Sequence, residues 1–484
     1  MALIRSGPVQ ERAVVLPEVE PAGQVGQVGP IVDRPLRARH FALAHPYAAL
    51  APTVDVALRA VRLEALLSDP YDEANPYGFH ALREGTGGRV GGVQRTAVEA
   101  AVRAEFVPAA RGGRFTAADD LVRVLRPLLR RDLALGYAHG ARALIDAVQR
   151  EEPVPERAGE FAALLGPAAL IATTGTVLRA AVRMVSERGR TEPTVRQWRG
   201  PLAAAFADLL ACEALVAVSL RASALPQGSG RAVRAAVGYA TVLVVGGVLD
   251  ELDLVLGECG RPADSLERRM VAKLAADASR SGAGPADVRA YQTDLVRELP
   301  ALACAFERRS DTTGAVLFRL GEAMPVRSVP PAPEGDDTLV GVLTGAAARL
   351  STAVAGGEAV TAALARVAGR LVSEQRALHG PGLAAAHAGR ADPAVRALAD
   401  RQAMLLLAAA VLGVQGAAAG RGLFLGGEHW PLLAATRIAA RLGIGPGGPG
   451  GPADIEAQQR VWAELDGRDR LGVDCDLYAT RVLW

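Results

Sequence analysis

Between Val195 and Gly260 the chain carries two long apolar blocks separated by a short break, and few folds can absorb them. The first reads VRQWRGPLAAAFADLLACEALVAVSLRA. Its Leu202, Phe206, Leu209, Leu210, Leu215 and Val218 mix spacings of four, three, one and five, the pattern of a helix buried on more than one side. Pro226, Gly228 and Gly230 interrupt it. The second block, RAVRAAVGYATVLVVGGVLDELDLVLGECG, places Val233, Val237, Leu243, Val244, Val248, Leu249, Leu252 and Leu256 on a helical period. It stops at Gly257, with Gly260 and Pro262 beyond. The pair predicts two long helices folded back on each other, the core hairpin of a helical bundle.

The other 400-odd residues fit that frame. Half of the 484 residues are hydrophobic but only 4% are aromatic, so alanine, leucine and valine fill the apolar positions and favour close helix packing. Helical blocks are expected from about Tyr47 to Leu67, Val93 to Arg103, Ala117 to Arg150 with a bend at Pro127, and Phe161 to Arg190. Beyond the hairpin they run from Ser265 to Ser279, Pro285 to Glu307, Thr338 to His379, Pro393 to Gly416, Trp430 to Leu442 and Ile455 to Leu465. No strand-rich segment and no internal repeat stands out, so the expected fold class is all-α. The expected organisation is an N-terminal arm (1–44), an N-terminal helical domain (45–165), a helical bundle (166–324), a Pro-rich linker (325–337) and an additional helical region (338–484). The glycine-rich stretch from Arg83 to Gly92 follows no strand and lacks the GxxxxGK[ST] order, so it reads as a loop rather than a phosphate cradle.

Charge and cysteine usage narrow the function classes. A net charge of +2 argues against a dedicated nucleic-acid surface. Lys273 is the only lysine, the mark of codon bias rather than of a role for arginine. Cys212, Cys259, Cys304 and Cys475 lie far apart without a CxxC, which suggests neither a metal framework nor a disulfide scaffold. The N-terminus lacks a charged-then-apolar signal pattern, and the most apolar run, Ala235 to Leu249, meets Asp250 before reaching the roughly 20 residues of a membrane span. These features predict a soluble, cytoplasmic protein without a membrane partner.

Two groups of segments resemble the actinobacterial-style branch of the acyl-CoA dehydrogenase family. SDPYDEANPYGFHAL, EFVPAARGGRF and DDLVRVLRPLLRRDLALGYAHG look like its N-terminal helical domain. VLRAAVRMVSERGR, LAAAFADLLACEALVAVSLRA and AAVGYATVLVVGGVLDELDLVLG look like the paired helices of its C-terminal domain, and RALADRQAMLLLAAAVLGV and DLYATRVL look like the extra helical region of that branch. The resemblance covers most of the chain after about Glu64. It implies FAD, a glutamate that takes the α proton of an acyl-CoA, a flavin N5 that takes the β hydride, and a homo- or hetero-oligomer.

The chain departs from that pattern at the flavin. The family's β-barrel-like middle domain should fall between Leu165 and Thr176, where only GPAALIATTG stands, too short for several strands of about five residues. Of the family's arginine-x-x-Phe-Gly pattern for flavin phosphate, only Arg188 is in place. GECGRP at Gly257–Pro262 is the nearest remnant of its late glycine motif, and no family glutamate carries over.

What remains for chemistry is sparse. Asp250, Glu251, Asp253 and Glu258 cluster at the end of the hairpin. Glu251, Asp253 and Glu258 are the candidate catalytic carboxylates, two of which would divide acid and base roles in a dry cleft. Their bland reading is a salt-bridged helix end. No Glu-x-x-His stands on either hairpin helix, so no metal is expected. Arg221, Arg231 and Arg234 flank the hairpin turn and are candidates for a CoA phosphate, or else surface charges. Arg131, Asp132, Tyr137 and His139 stand near one another in sequence; Asp132 with Tyr137, or Arg131 and Asp132 with partners elsewhere, could line a pocket, and His139 reads as an ordinary helix or core histidine rather than a catalytic one. Three functions stay open. One is a diverged acyl-CoA dehydrogenase-like protein without flavin redox chemistry that takes an acyl-CoA or acyl-carrier thioester. The others are an FAD-dependent oxidoreductase acting on acyl-CoA CH–CH groups, and a non-catalytic helical partner of an active paralogue.

Overall fold

The structure, a computed structural model, describes residues 55–83, 93–224, 230–307, 316–322, 338–354, 358–385, 392–444 and 451–484. Among them there is no strand, only two isolated bridges, Pro108 with Phe115 and Val473 with Arg481. The arm 1–44 and the Pro-rich segment 325–337 lie outside the described residues.

The first helices carry their own local signals. Helix α1 (Val56–Leu67) is capped by Asp55, whose carboxylate accepts from the Ala57 and Leu58 amides. After α2 (Phe79–Arg83) and α3 (Val93–Phe106) comes α4 (Ala118–Leu129), with Pro127 inside it. The chain then breaks at Arg130–Asp132, and Asp132 caps α5 (Leu133–Gly136) by accepting from the Leu135 amide at 3.0 Å. A π turn over Tyr137–Arg142 carries α5 into α6 (Ala143–Gln149).

Helix α7 (Ala158–Arg188) runs unbroken through GPAALIATTG. Gly166 is required there, because a Cβ would lie 2.8 Å from the Ser281 carbonyl oxygen. Thr173 and Thr174 turn their hydroxyls back onto the Ala169 and Leu170 carbonyls, which keeps two polar groups satisfied inside the core. The boundary expected at 165/166 therefore falls within one helix.

The expected hairpin is α8 (Arg199–Ala222) against α9 (Arg231–Glu258). From Ala205 to Ala222 every residue of α8 is buried, because α7, α9, α14, α15 and α16 all pack on it. That explains apolarity on every face rather than along one stripe. The remaining helices are α10 (Leu266–Ala278), α11 (Pro285–Glu307), α12 (Thr338–Ala353), α13 (Ala359–Ala384), α14 (Pro393–Ala418), α15 (His429–Arg441) and α16 (Pro452–Leu471). The helix pattern expected from Thr338 to His379, with two glycine interruptions, is formed by α12 and α13. One continuous apolar core extends from Leu63 to Leu477, so residues after 338 share it with those before.

The expectation of a soluble, cytoplasmic protein is corrected. Four helical stretches, Ala158–Arg188, Pro193–Ala222, Arg231–Glu258 and Pro393–Ala418, are long and apolar enough to cross a membrane. The apolar run does meet Asp250, but one carboxylate does not limit a span, and length and mean hydropathy over 18 residues meet the requirement. Within the fold, 89%, 100%, 72% and 78% of those windows are buried, so neighbouring helices cover most of their apolar surface.

Candidate functional site

The acidic cluster does not converge. Glu251 is half-buried and accepts from Arg437 Nη2 at 2.6 Å, and the same guanidinium donates to Asp208 at 2.6 Å. Asp253 faces α10 instead, where Arg268 grips it through Nε at 3.0 Å and Nη2 at 3.2 Å. Glu258 and Asp250 are exposed. Glu251 and Asp253 turn to different arginines, so in place of the expected acid–base pair in a dry cleft stand two separate ion pairs.

The arginines are dispersed as well. Arg188 grips Glu192 through Nη2 at 2.7 and 2.9 Å and donates to the Cys259 carbonyl, which ties the end of α7 to the end of α9. A guanidinium so engaged does not fit an open clamp for a flavin phosphate. Arg221 turns into the core, donating to Asp119 at 2.8 Å and to the carbonyls of Glu322 and Val316 at 2.9 Å each. Burial pushes the Asp119 carboxyl up, and Arg221 opposes that shift. Arg234 is half-buried and pairs with Glu160 of α7 at 3.2 Å, while Arg231 is exposed. The three do not form one phosphate site. Among the described residues no group of three or more His, Cys, Asp or Glu side chains is placed to hold a metal.

A buried cage of charges is what the sequence reading missed. Arg126 and Arg130, one turn apart on and just beyond α4, both donate to Asp474, at 3.0 and 3.1 Å. Arg126 also donates to Glu213 of α8 at 3.0 Å, and Arg130 to Glu64 of α1. The C-terminal segment is tied in by its backbone too. The Leu477 amide donates to Glu213 at 3.2 Å and the Leu483 amide to Glu64 at 3.0 Å. Arg468 lies 5.3 Å from the ring centres of both Phe206 and Phe424 and donates to the Asp476 carbonyl. The readable signal was an Arg-x-x-x-Arg step in an apolar helix together with the DCD of an otherwise apolar tail.

The carboxylates of this cage titrate apart. Burial alone would raise Asp474, but Arg126, Arg130 and Arg179 override it and hold the carboxyl well below the usual range. Burial pushes Glu213 up to about 8; Arg126 opposes this, and Asp476 and Asp474 add to it. In the unfolded chain Glu213 ionises near 4.5, so the folded state holds an extra proton between about pH 4.5 and 8, and stability falls with rising pH across that window. Glu213→Gln is expected to flatten this decline. Thermal unfolding of both proteins at the two ends of the window checks it, and parallel slopes would mean that Glu213 is ionised in the fold.

Asp132 with Tyr137, or Arg131 with Asp132, are the pairs expected to line a pocket; the cleft found in this region is lined instead by His139, expected to be an ordinary helix histidine. Asp132 is spent on its cap and on Lys273, at 2.5 Å, and Lys273 also pairs with Asp277. Arg131 is buried and donates to the Ser68 carbonyl, and burial lowers its guanidinium to about 10. Tyr137 packs partly buried against the core. His139, in the π turn, borders a cleft of about 230 Å³ between α3 and α6. Its wall is Val102, Phe106, Ala143 and Ala147, and Arg103, Arg150 and Glu152 edge it. Burial lowers the His139 pKa, with Glu99 opposing and Arg95 reinforcing the shift, so the imidazole is neutral at pH 7. π turns recur at functional sites because the added residue re-aims the side chains that follow.

No protein-family model, curated protein or solved structure matches this chain. The cleft, the cage and the resemblance of the segments are what a functional reading has to work with.

Proposed function

We propose that this is a diverged acyl-CoA dehydrogenase-like helical protein that binds an acyl thioester without flavin redox chemistry. The observation that carries the reading is α7. It is helical from Ala158 to Arg188, across the position where the family's flavin-covering domain would enter. The engagement of Arg188 with Glu192 and the Cys259 carbonyl adds support. The resemblance supplies the ligand class, an acyl-CoA or acyl-carrier thioester.

The test is a visible absorption spectrum of the purified full chain, repeated after excess FAD and desalting, followed by calorimetric titration with hexanoyl-CoA. The expected result is a colourless protein that binds the thioester. A retained flavin spectrum would overturn the reading in favour of an FAD-dependent oxidoreductase acting on acyl-CoA. A colourless protein that binds no thioester would leave the second reading, a non-catalytic helical partner subunit. That reading draws on α9, where Leu243 and Leu254 are 47% and 54% exposed on either side of Gly246 and Gly247, which have open space above them. Light scattering on the same preparation, alone and with a captured paralogue, bears on it: a chain that stays monomeric in both removes it.

A further inference from the structure

We propose that the cleft beside His139 is a binding site for a short-chain primary alcohol. This goes beyond the thioester reading and does not depend on it, because the argument rests on the two helix faces that form the cleft.

The cleft exists because α6 turns small side chains toward α3. Val102 and Phe106 stand one turn apart on α3. Opposite them, also one turn apart, stand Ala143 and Ala147 of α6. Helix α3 packs on the π turn, and beyond that contact the alanine side chains are too short to close the gap. The space left is about 230 Å³, below the 300–1,000 Å³ of sites for drug-sized ligands, which limits the ligand to a short chain. It is a slot rather than a bowl. Glu99 acts on the ring of His139 at one end, while at the other Arg103 and Arg150 each hold Glu152 at 2.8 Å. From His139 to Ala147 the helix rises about 12 Å, room for a straight alkyl chain along the four apolar side chains.

The charges of the lining select an uncharged ligand. Glu99, Arg103, Arg150 and Glu152 sum to zero. Each already has an ionic partner, Arg103 and Arg150 in Glu152, and Glu99 in Arg95 at 2.7 Å. A carboxylate or an ammonium group would leave water for a place that offers it no surplus counter-charge. His139 is the polar side chain of the lining that no ion pair engages. Burial lowers its pKa, so at pH 7 the ring is neutral, with one nitrogen donating and the other accepting. A hydroxyl is donor and acceptor at once and pairs with that ring in either tautomer. The rest of the ligand meets carbon only, which matches an alkyl chain.

Calorimetric titration of the full chain at pH 7.5 tests this, with 1-hexanol, hexanoate and hexylamine as probes. Hexanol is expected to bind one to one with a Kd of about 1 mM, in the range open to so small a ligand. The acid and the amine are expected at least about tenfold weaker. His139→Phe keeps a ring but removes the hydrogen bond and should weaken hexanol about fivefold, and His139→Gln, an amide that both donates and accepts, should recover most of that loss. As a separate variant, Ala143→Leu fills the slot and should abolish binding with His139 intact. The unfolding midpoint of each variant shows that it is folded. Equal binding of the three probes, hexanol binding that is unchanged in His139→Phe or in Ala143→Leu, or no heat with hexanol at all would each overturn the proposal. Because hexanoyl-CoA is titrated separately, failure here is distinguishable from failure of the thioester reading.

Discussion

Asp474→Ala is expected to cost about 3–5 kcal/mol of folding stability, read as a fall in the urea midpoint. Asp474 is fully buried and receives charge-assisted hydrogen bonds from Arg126 and Arg130, which are themselves buried. Removing the carboxylate leaves two guanidinium groups in the core with Glu213 and Glu64 as their remaining partners. The Cys475 amide also loses the acceptor it holds at 2.8 Å. The cost comes from the charges left behind rather than from the worth of the bond removed. Replacing Arg126 and Asp474 together by apolar residues should accordingly cost less than Asp474→Ala alone. A loss below about 1 kcal/mol for Asp474→Ala would mean that water reaches the cage.

Arg221→Ala is the second large loss, again about 3–5 kcal/mol. Its side chain is among the largest that are fully buried, and its three acceptors come from two separate stretches of chain. Without it Asp119 takes up a proton or stays as an unpaired buried anion, and the carbonyls of Val316 and Glu322 lose their donors. Arg221→Lys keeps the charge but lacks the planar fork that reaches all three, so it should recover part of the loss. Hydrogen exchange over residues 316–322 reads the effect where it arises. Unchanged protection there in Arg221→Ala would show that this segment is held without Arg221, by the buried Leu317 and Phe318 and by the Glu322–Arg421 pair.

The helices were legible because their signals are local. The spacing of Leu202 to Val218, the break at Pro226–Gly230 and the glycines after Leu256 are contained within a few turns, and α8 and α9 follow them. Pro285 to Glu307 was readable end to end for the same reason. The roles of charged residues were not legible, because their partners are remote. Helical spacing put Glu251 and Asp253 on faces of α9 but could not say that Arg437 and Arg268 stand opposite. Arg221 read as a turn-flanking charge because nothing local reveals Asp119, 102 positions earlier. The cleft was hidden for another reason. The π turn adds a residue to the helical repeat, so Ala143 and Ala147, which follow it, fall out of the register that a regular 3.6 period predicts. Localisation failed because a helix enclosed by other helices and a membrane-crossing helix have the same composition.

The charge cage has a consequence for how the chain is made. Arg130 and Arg126 leave the ribosome 344 and 348 residues ahead of Asp474, the carboxylate they share. Glu64 precedes the Leu483 amide by 419. At ordinary rates of elongation that interval is on the order of half a minute. Throughout it the N-terminal helices hold guanidinium groups that cannot be buried with all their partners, so they must stay open to water or to a chaperone. The emergence of residues 474–483 is then a folding step in its own right, because that segment brings Asp474, the carboxylate that Arg126 and Arg130 share.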